Sequence, residues 1–260
     1  MTDVLDFDAP RDAFEILEGA RAALSAPERS EAAVLAALQV SPDDRDVRMG
    51  AYKFYFYNNR LAEAVPHALW CVADGARALG LPTDWRRLAP GSVPCADFDK
   101  PRRFLVQSLV AYGWCLSRIG RIDDGLEALA KAIEIEPRSA QAYAFRAVVY
   151  KRMGQPELGA KDVDRAAKID ANLPEVRWAR AEIAEATGRR AEAIPDYRKA
   201  LAERPLLRDA AAALDRLGVG EPNEVEIREL GFERWRVLHS HGRLYARHAD
   251  LGRSEEHTSE

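Results

Sequence analysis

The sequence predicts an all-α protein built as a superhelix of antiparallel helix pairs, on three landmarks that share one interval. Glycines stand at Gly120, Gly154 and Gly188, each 34 residues from the next. Alanines at Ala132, Ala166 and Ala200 keep the same spacing, and so do Pro137, Ala171 and Pro205. Fixed periods of 20–50 residues are the signature of stacked repeats. Each landmark also suits a helix-turn-helix unit. Glycine supplies the left-handed residue that closes a first helix. A small residue midway along the second helix lets neighbours approach, and proline ends the unit because it cannot continue a helix.

Between landmarks the apolar spacing is helical, as in Leu126, Leu129, Ala130 and Ile133. Unit 106–139 carries Gly113, Gly120, Gly125, Leu129, Ala132 and Pro137. Unit 140–173 carries Tyr143, Ala147, Tyr150, Gly154, Val163 and Ala166, and unit 174–207 carries Ala181, Gly188, Ala193, Tyr197, Ala200 and Pro205. This pattern resembles the tetratricopeptide repeat family. Arg146 and Arg180 depart from it, standing where the family prefers leucine.

Residues 11–78 read as two degenerate units. In 45–78, Asn59 takes the turn position, and Tyr55, Ala64 and Cys71 fill the aromatic and small slots. In 11–44, Phe14, Leu17, Ser30, Val34, Ala37 and Pro42 fit while Arg21 and Ser25 do not. Pro66 and Pro195 share one repeat offset and are placed near the first turn of their helices, where backbone N–H groups lack partners. Residues 208–218 read as a capping helix of the kind an array needs over its last open face, stopped by Gly218.

Segment 79–105 breaks the register with Pro82, Pro90, Pro94 and Pro101. A long connection of this kind is uncommon without a role. It is either an ordered loop whose Trp85 and Phe98 pack on the helices, or a lid over the groove. Segment 219–252 reads as a basic helix, as a hairpin turning at His241-Gly242, or as the start of a downstream domain. Residues 253–260 match one reading frame of a widely used sequencing-library adapter, so the natural sequence is expected to continue past Gly252.

Hydrophobic residues make up 47% of the 260, enough for an extended core and against global disorder. The net charge of -4 argues against nucleic acid, whose phosphates need clustered cations. No apolar run approaches the ~18 residues of a membrane span. The acidic start and the odd, scattered Cys71, Cys95 and Cys115 point to the cytoplasm rather than to a disulfide framework. Signatures for nucleotides, zinc proteases and hydrolases do not occur. Cys95 and Asp97 have no histidine nearby in sequence, and no cofactor is implied.

The family resemblance implies that the first helix of each unit lines a concave groove. Its contact offsets fall here on Lys53, Phe56 and Tyr57, on Val110, Trp114 and Arg118, on Phe145, Lys151 and Arg152, and on Trp178 and Glu182. Two readings compete. The aromatics are core residues at helical spacing, or they anchor a partner helix or peptide whose acidic residues meet Arg118, Lys151 and Arg152. The Lys/Asn set with which some family members hold a C-terminal carboxylate is missing. Val110, Trp114, Phe145, Glu175 and Ala179 occupy those places in one register, and Met49, Lys53, Ala111, Gln141 and Phe145 in the other. The expected function is a non-catalytic adaptor or scaffold for a protein partner. The alternative is the docking region of a larger enzyme with its catalytic part beyond residue 220.

Overall fold

The computed structural model describes residues 27–89, 91, 93, 100–204, 207–219, 223–226, 235–240 and 243–248. Among them the helices are α1 (Pro27–Val40), α2 (Arg45–Tyr57), α3 (Leu61–Ala78), α4 (Lys100–Arg118) and α5 (Ile122–Ile135). They continue with α6 (Ala140–Arg152), α7 (Pro156–Asp170), α8 (Pro174–Ala186), α9 (Arg190–Glu203) and α10 (Arg208–Arg216). The predicted helical fold class holds throughout this stretch. The chain divides into two compact units, 1–128 and 129–260.

In the first unit α2 starts at Asp44, whose carboxylate accepts from the Asp46 and Val47 amides at 2.8 and 3.0 Å. These bonds satisfy two of the donors a helix start leaves open. Val47, Ala51 and Tyr55 recur every four residues and bury against Ala33, Val34 and Ala37 of α1 and Leu61 and Ala64 of α3. The turn after α2 is closed by the Arg60 amide donating to the Tyr55 carbonyl at 2.9 Å, and it needs a left-handed residue. Asn59 supplies it with φ +58°, alone among the described non-glycine residues. We expect Asn59→Gly to leave stability equal or slightly higher, and Asn59→Ala to lower it by about 1 kcal/mol. Urea denaturation of the two variants checks the order.

The described residues of segment 79–93 are anchored. Trp85, Leu88 and Val93 are buried, and the Trp85 ring stands edge-on to Tyr112 of α4 at 6.1 Å. Arg86 lies over the Trp85 ring and donates to Asp124 and Glu127 of α5, 2.9 Å each. Loss of a buried Trp costs about 3–5 kcal/mol, against about 0.2–1 for an exposed ion pair, so Trp85 does most of the holding. Asp124 and Glu127 belong to a second helix of a pair, away from the first-helix positions expected to line a groove. Trp85 packs as the ordered-loop reading expects.

The same turn device recurs at the 34-residue interval. Gly120 has φ +91°, Gly154 +74° and Gly188 +82°, and the amides of Arg121, Gln155 and Arg189 close back onto Leu116, Tyr150 and Ala184 at 2.8–3.0 Å. Within the second unit α6 packs on α7 and α8, and α8 on α9. Gly159 explains how closely α7 approaches its neighbours, because a Cβ there would stand 2.7 Å from the Ala147 carbonyl. The departures at Arg146 and Arg180 are answered in the second helix of each pair. Arg146 donates twice to Asp162 at 2.7 and 2.8 Å, and Arg180 twice to Asp196 at 2.5 and 2.6 Å.

Pro66 and Pro195 lie deeper than the sequence reading placed them. Each is the sixth residue of its helix, in the second turn, so each helix forgoes one bond, to the carbonyl of Ala62 or Ala191. α10 buries Ala210, Ala211, Ala213 and Leu214 and ends at Gly218, φ +71°, as expected of a cap.

Beyond the helices, β1 (Asn223–Glu226), β2 (Trp235–Ser240) and β3 (Arg243–His248) form an antiparallel sheet in that order. Ser240 pairs with Arg243, leaving only residues 241–242 as the connection. Of the sequence alternatives here, the hairpin forms and the basic helix does not. The first helix of 11–44, Cys95, Asp97, Phe98, Pro205 and residues 249–260 lie outside the described residues.

Candidate functional site

The first helices of the repeats are α2, α4, α6 and α8, and the predicted contact residues separate into two groups on them. Val110, Trp114, Phe145, Trp178 and Glu182 are buried, with Trp178 1% exposed and Trp114 3%. Lys53 and Arg152 are exposed, while Phe56, Tyr57, Arg118 and Lys151 are half-buried. The physical reason is clearest in the second unit. There α6 lies beside α8, and the Phe145 ring meets Trp178 edge-on at 5.9 Å, so each removes the other from water. Trp114 and Trp178 are buried among the core residues.

Charge on that second-unit face is used up internally. Lys151 donates to Glu182 at 2.6 Å, and the Tyr197 hydroxyl lies 2.9 Å from both Glu182 and Glu185. Arg216 makes a two-pronged pair with Glu185 at 3.0 and 2.8 Å. Arg204 reaches Glu175 at 3.2 Å, beside Gln141 at 3.3 Å. The Arg216 guanidinium holds the Glu185 carboxyl below its usual range, and burial raises the Tyr197 hydroxyl well above its own. Lys151 and Glu182, predicted as partner contacts, are in fact each other's partners. Glu185, Arg204 and Arg216 were not singled out in sequence, although Glu175, Glu182 and Glu185 form one acidic stripe at helical spacing.

The first unit differs. Residues 52–57 of α2 are Tyr-Lys-Phe-Tyr-Phe-Tyr, and five aromatics in six positions cannot all face one core. Tyr55 is buried, stacked on His67 at 5.7 Å and with Arg60 over its ring at 4.9 Å. The rest stay half-buried. Tyr52 and Phe56, one turn apart, have ring centroids 5.4 Å apart, and Tyr57 meets Phe56 edge-on at the same distance. Tyr52, missed as a site residue, is the i−4 neighbour that its spacing from Phe56 marks out.

Two thiols and two cations lie near parts of this unit. Burial raises the Tyr52 hydroxyl, with Cys115 of α4 and Cys71 of α3 near it. Burial also pushes both thiols up to about 12; the charge of Lys53 acts against this at Cys71, and that of Arg118 at Cys115. Arg118 lies over the Trp114 ring at 5.4 Å. The α2 helix thus carries a half-buried aromatic run with the exposed Lys53 among it.

Helix pairs closed by a left-handed residue every 34 residues define a helical-repeat protein. The profile of the tetratricopeptide repeat family matches residues 106–139 and 174–205. Those two segments are tetratricopeptide repeats. The chain is 32% identical over 108 residues to an uncharacterized 19.8 kDa protein in the nifW 5' region of Azotobacter chroococcum mcd 1, a match covering 41% of this chain. The chain spans 61% of the length of that relative. A thermophilic tetratricopeptide repeat protein of Thermus thermophilus is 22% identical, with 78% of this chain and 98% of that one covered and a TM-score of 0.49. MamA protein is 15% identical over 75% of this chain and 92% of its own, with a TM-score of 0.47. Among the described residues no helix is long and apolar enough to cross a membrane.

Proposed function

We propose that the chain is a protein-interaction scaffold that holds a segment of a partner on the α2–α4 face, with Phe56 and Tyr57 as the apolar anchors and Lys53 beside them. The supporting observation is the half-buried aromatic run on a first helix, where the first-helix aromatics Trp114 and Trp178 of other units are buried. Aromatic side chains at the surface carry a large contact area at small entropic cost, and they dominate binding energies where they are found. The reading is non-catalytic. The Cys71 and Cys115 thiols, pushed up to about 12 by burial, are not thiolates at neutral pH.

A displayed library of short random peptides, panned on the full chain, tests this. Selected peptides are expected to lose about 30-fold or more in affinity for a Phe56→Ser, Tyr57→Ser variant, the loss of one good hot spot of about 2 kcal/mol. Thermal melting of the variant checks that the helices remain. Peptides that bind the folded double variant as tightly as wild type would remove the proposal.

A further inference from the structure

We infer that His67 makes the contact between α2 and α3 an acid-released latch: proton uptake by its ring expels Arg48 and loosens α2 in mild acid. The latch is read without a partner and stands apart from the function proposed above.

His67 is half-buried on α3, one residue after Pro66, where the helix is already one backbone bond short. Its ring is stacked on Tyr55 of α2 at 5.7 Å, with 7° between the planes. Arg48, two turns before Tyr55 on the same helix, reaches His67 Nδ1 with Nη1 at 3.4 Å. A guanidinium carries donors only, so Nδ1 accepts and the ring's one proton sits on Nε2. The contact therefore exists only while the ring is neutral. A second proton fills the lone pair that Arg48 uses and sets two cations against each other.

The surroundings give an imidazolium no carboxylate to pair with. The other partners of Arg48 are neutral too, the Pro42 carbonyl and the Trp70 ring, 5.6 Å away. Arg60, in the α2–α3 turn, already lies over the Tyr55 ring at 4.9 Å and pairs with Glu31 of α1 and Glu63 of α3. Glu31 also accepts from the Tyr55 hydroxyl at 3.5 Å. Asp43, ahead of α2, accepts from the Trp70 indole at 3.4 Å, and Asp74 of α3 is taken by Arg45 and Arg77. Arg86, after α3, is turned to Asp124 and Glu127. The Cys71 thiol of α3, and that of Cys115, which α4 brings into the core with Tyr55, are pushed up to about 12 by burial and stay uncharged. Burial, and after it the charge of Arg48, hold protonation of the ring below its ordinary 6.5.

The unfolded chain therefore takes up this proton before the folded one. The stability contributed by the contact is complete above about pH 6.5 and is lost as pH falls through that value toward the folded pKa. Carboxylates with ordinary values stay ionised from about pH 7.5 to about 5.5, so a loss in that window is a histidine effect.

Hydrogen exchange of the full chain, followed by mass spectrometry and corrected for intrinsic rates, tests the latch. At about pH 5.5 a free imidazole favours its protonated form about tenfold, so α2 amides are expected to exchange up to about tenfold faster there than at about pH 7.5. The amides of α8 serve as the control and are expected to keep their rates. His67→Gln offers Arg48 an amide oxygen that takes no proton, and is expected to abolish the acceleration in α2. Arg48→Met removes the expelled charge and is expected to shrink it. Absence of acceleration in wild-type α2, an equal acceleration in α8, or full acceleration in either folded variant would overturn the inference. Should His67→Gln fail to fold, the wild type and Arg48→Met decide it.

Discussion

Trp178→Ala is expected to lower the unfolding free energy by about 3–5 kcal/mol, the usual cost of emptying a large aromatic site in a core. Trp178 is 1% exposed and meets Phe145 on the neighbouring helix at 5.9 Å. Its removal therefore opens a cavity between α6 and α8 and strips a partner from Phe145. In an array where stability is close to a sum of units and their nearest-neighbour contacts, that loss falls on the contact between consecutive repeats. Domains are stable by only about 5–15 kcal/mol, so this variant stands near the edge of folding. Trp178→Phe keeps a ring against Phe145 and is expected to lose about half as much. Urea denaturation followed by circular dichroism measures both. A Trp178→Ala midpoint indistinguishable from wild type would mean that the indole is a surface anchor after all.

Breaking the Arg146–Asp162 pair from one side is expected to be nearly as costly. Asp162→Ala leaves the guanidinium, whose side chain is only 20% exposed, without its two acceptors at 2.7 and 2.8 Å. Removing one member of a buried pair costs about 3–5 kcal/mol, and partial exposure of Arg146 reduces that to about 2–4. Replacing both, as Arg146→Leu with Asp162→Leu, restores the residue the family prefers at 146. Pairs of this kind exchanged for packed apolar side chains are often neutral or better, so the double variant is expected within about 1 kcal/mol of wild type. The signature is a double variant more stable than Asp162→Ala alone. Additive losses would show instead that Arg146 is held by Tyr143 and Tyr150, over which it lies at 5.6 and 5.8 Å.

The turns were legible in sequence because what they require is local. Gly120, Gly154, Gly188 and Asn59 each need a left-handed backbone, and only glycine and a few polar residues take it without strain. The core alanines were legible for a related reason, since small residues repeat where helices touch. Burial of the first-helix aromatics was not. Phe56 and Trp178 are both first-helix aromatics, and their neighbours differ: Trp178 has Phe145 across from it on α6, while the aromatic run on α2 holds more rings than one core can take. Arg146 and Arg180 looked like errors in the pattern until Asp162 and Asp196, one repeat apart themselves, were seen to answer them. The ion pairs Lys151–Glu182 and Glu185–Arg216 span 31 residues each, just short of a repeat, so a search at that interval finds them once the register is known. The hairpin over 235–248 was one of several readings because alternation over six residues is a weak signal beside so many arginines.

The division between an aromatic face that contacts a partner and an aromatic core that does not can be read in one experiment. A photo-crosslinking phenylalanine analogue is placed at Tyr57 in one preparation and at Trp178 in another, and each is irradiated with a selected peptide. Covalent adduct at position 57 and none at 178 is the predicted result. Adduct at 178 with none at 57 would contradict it.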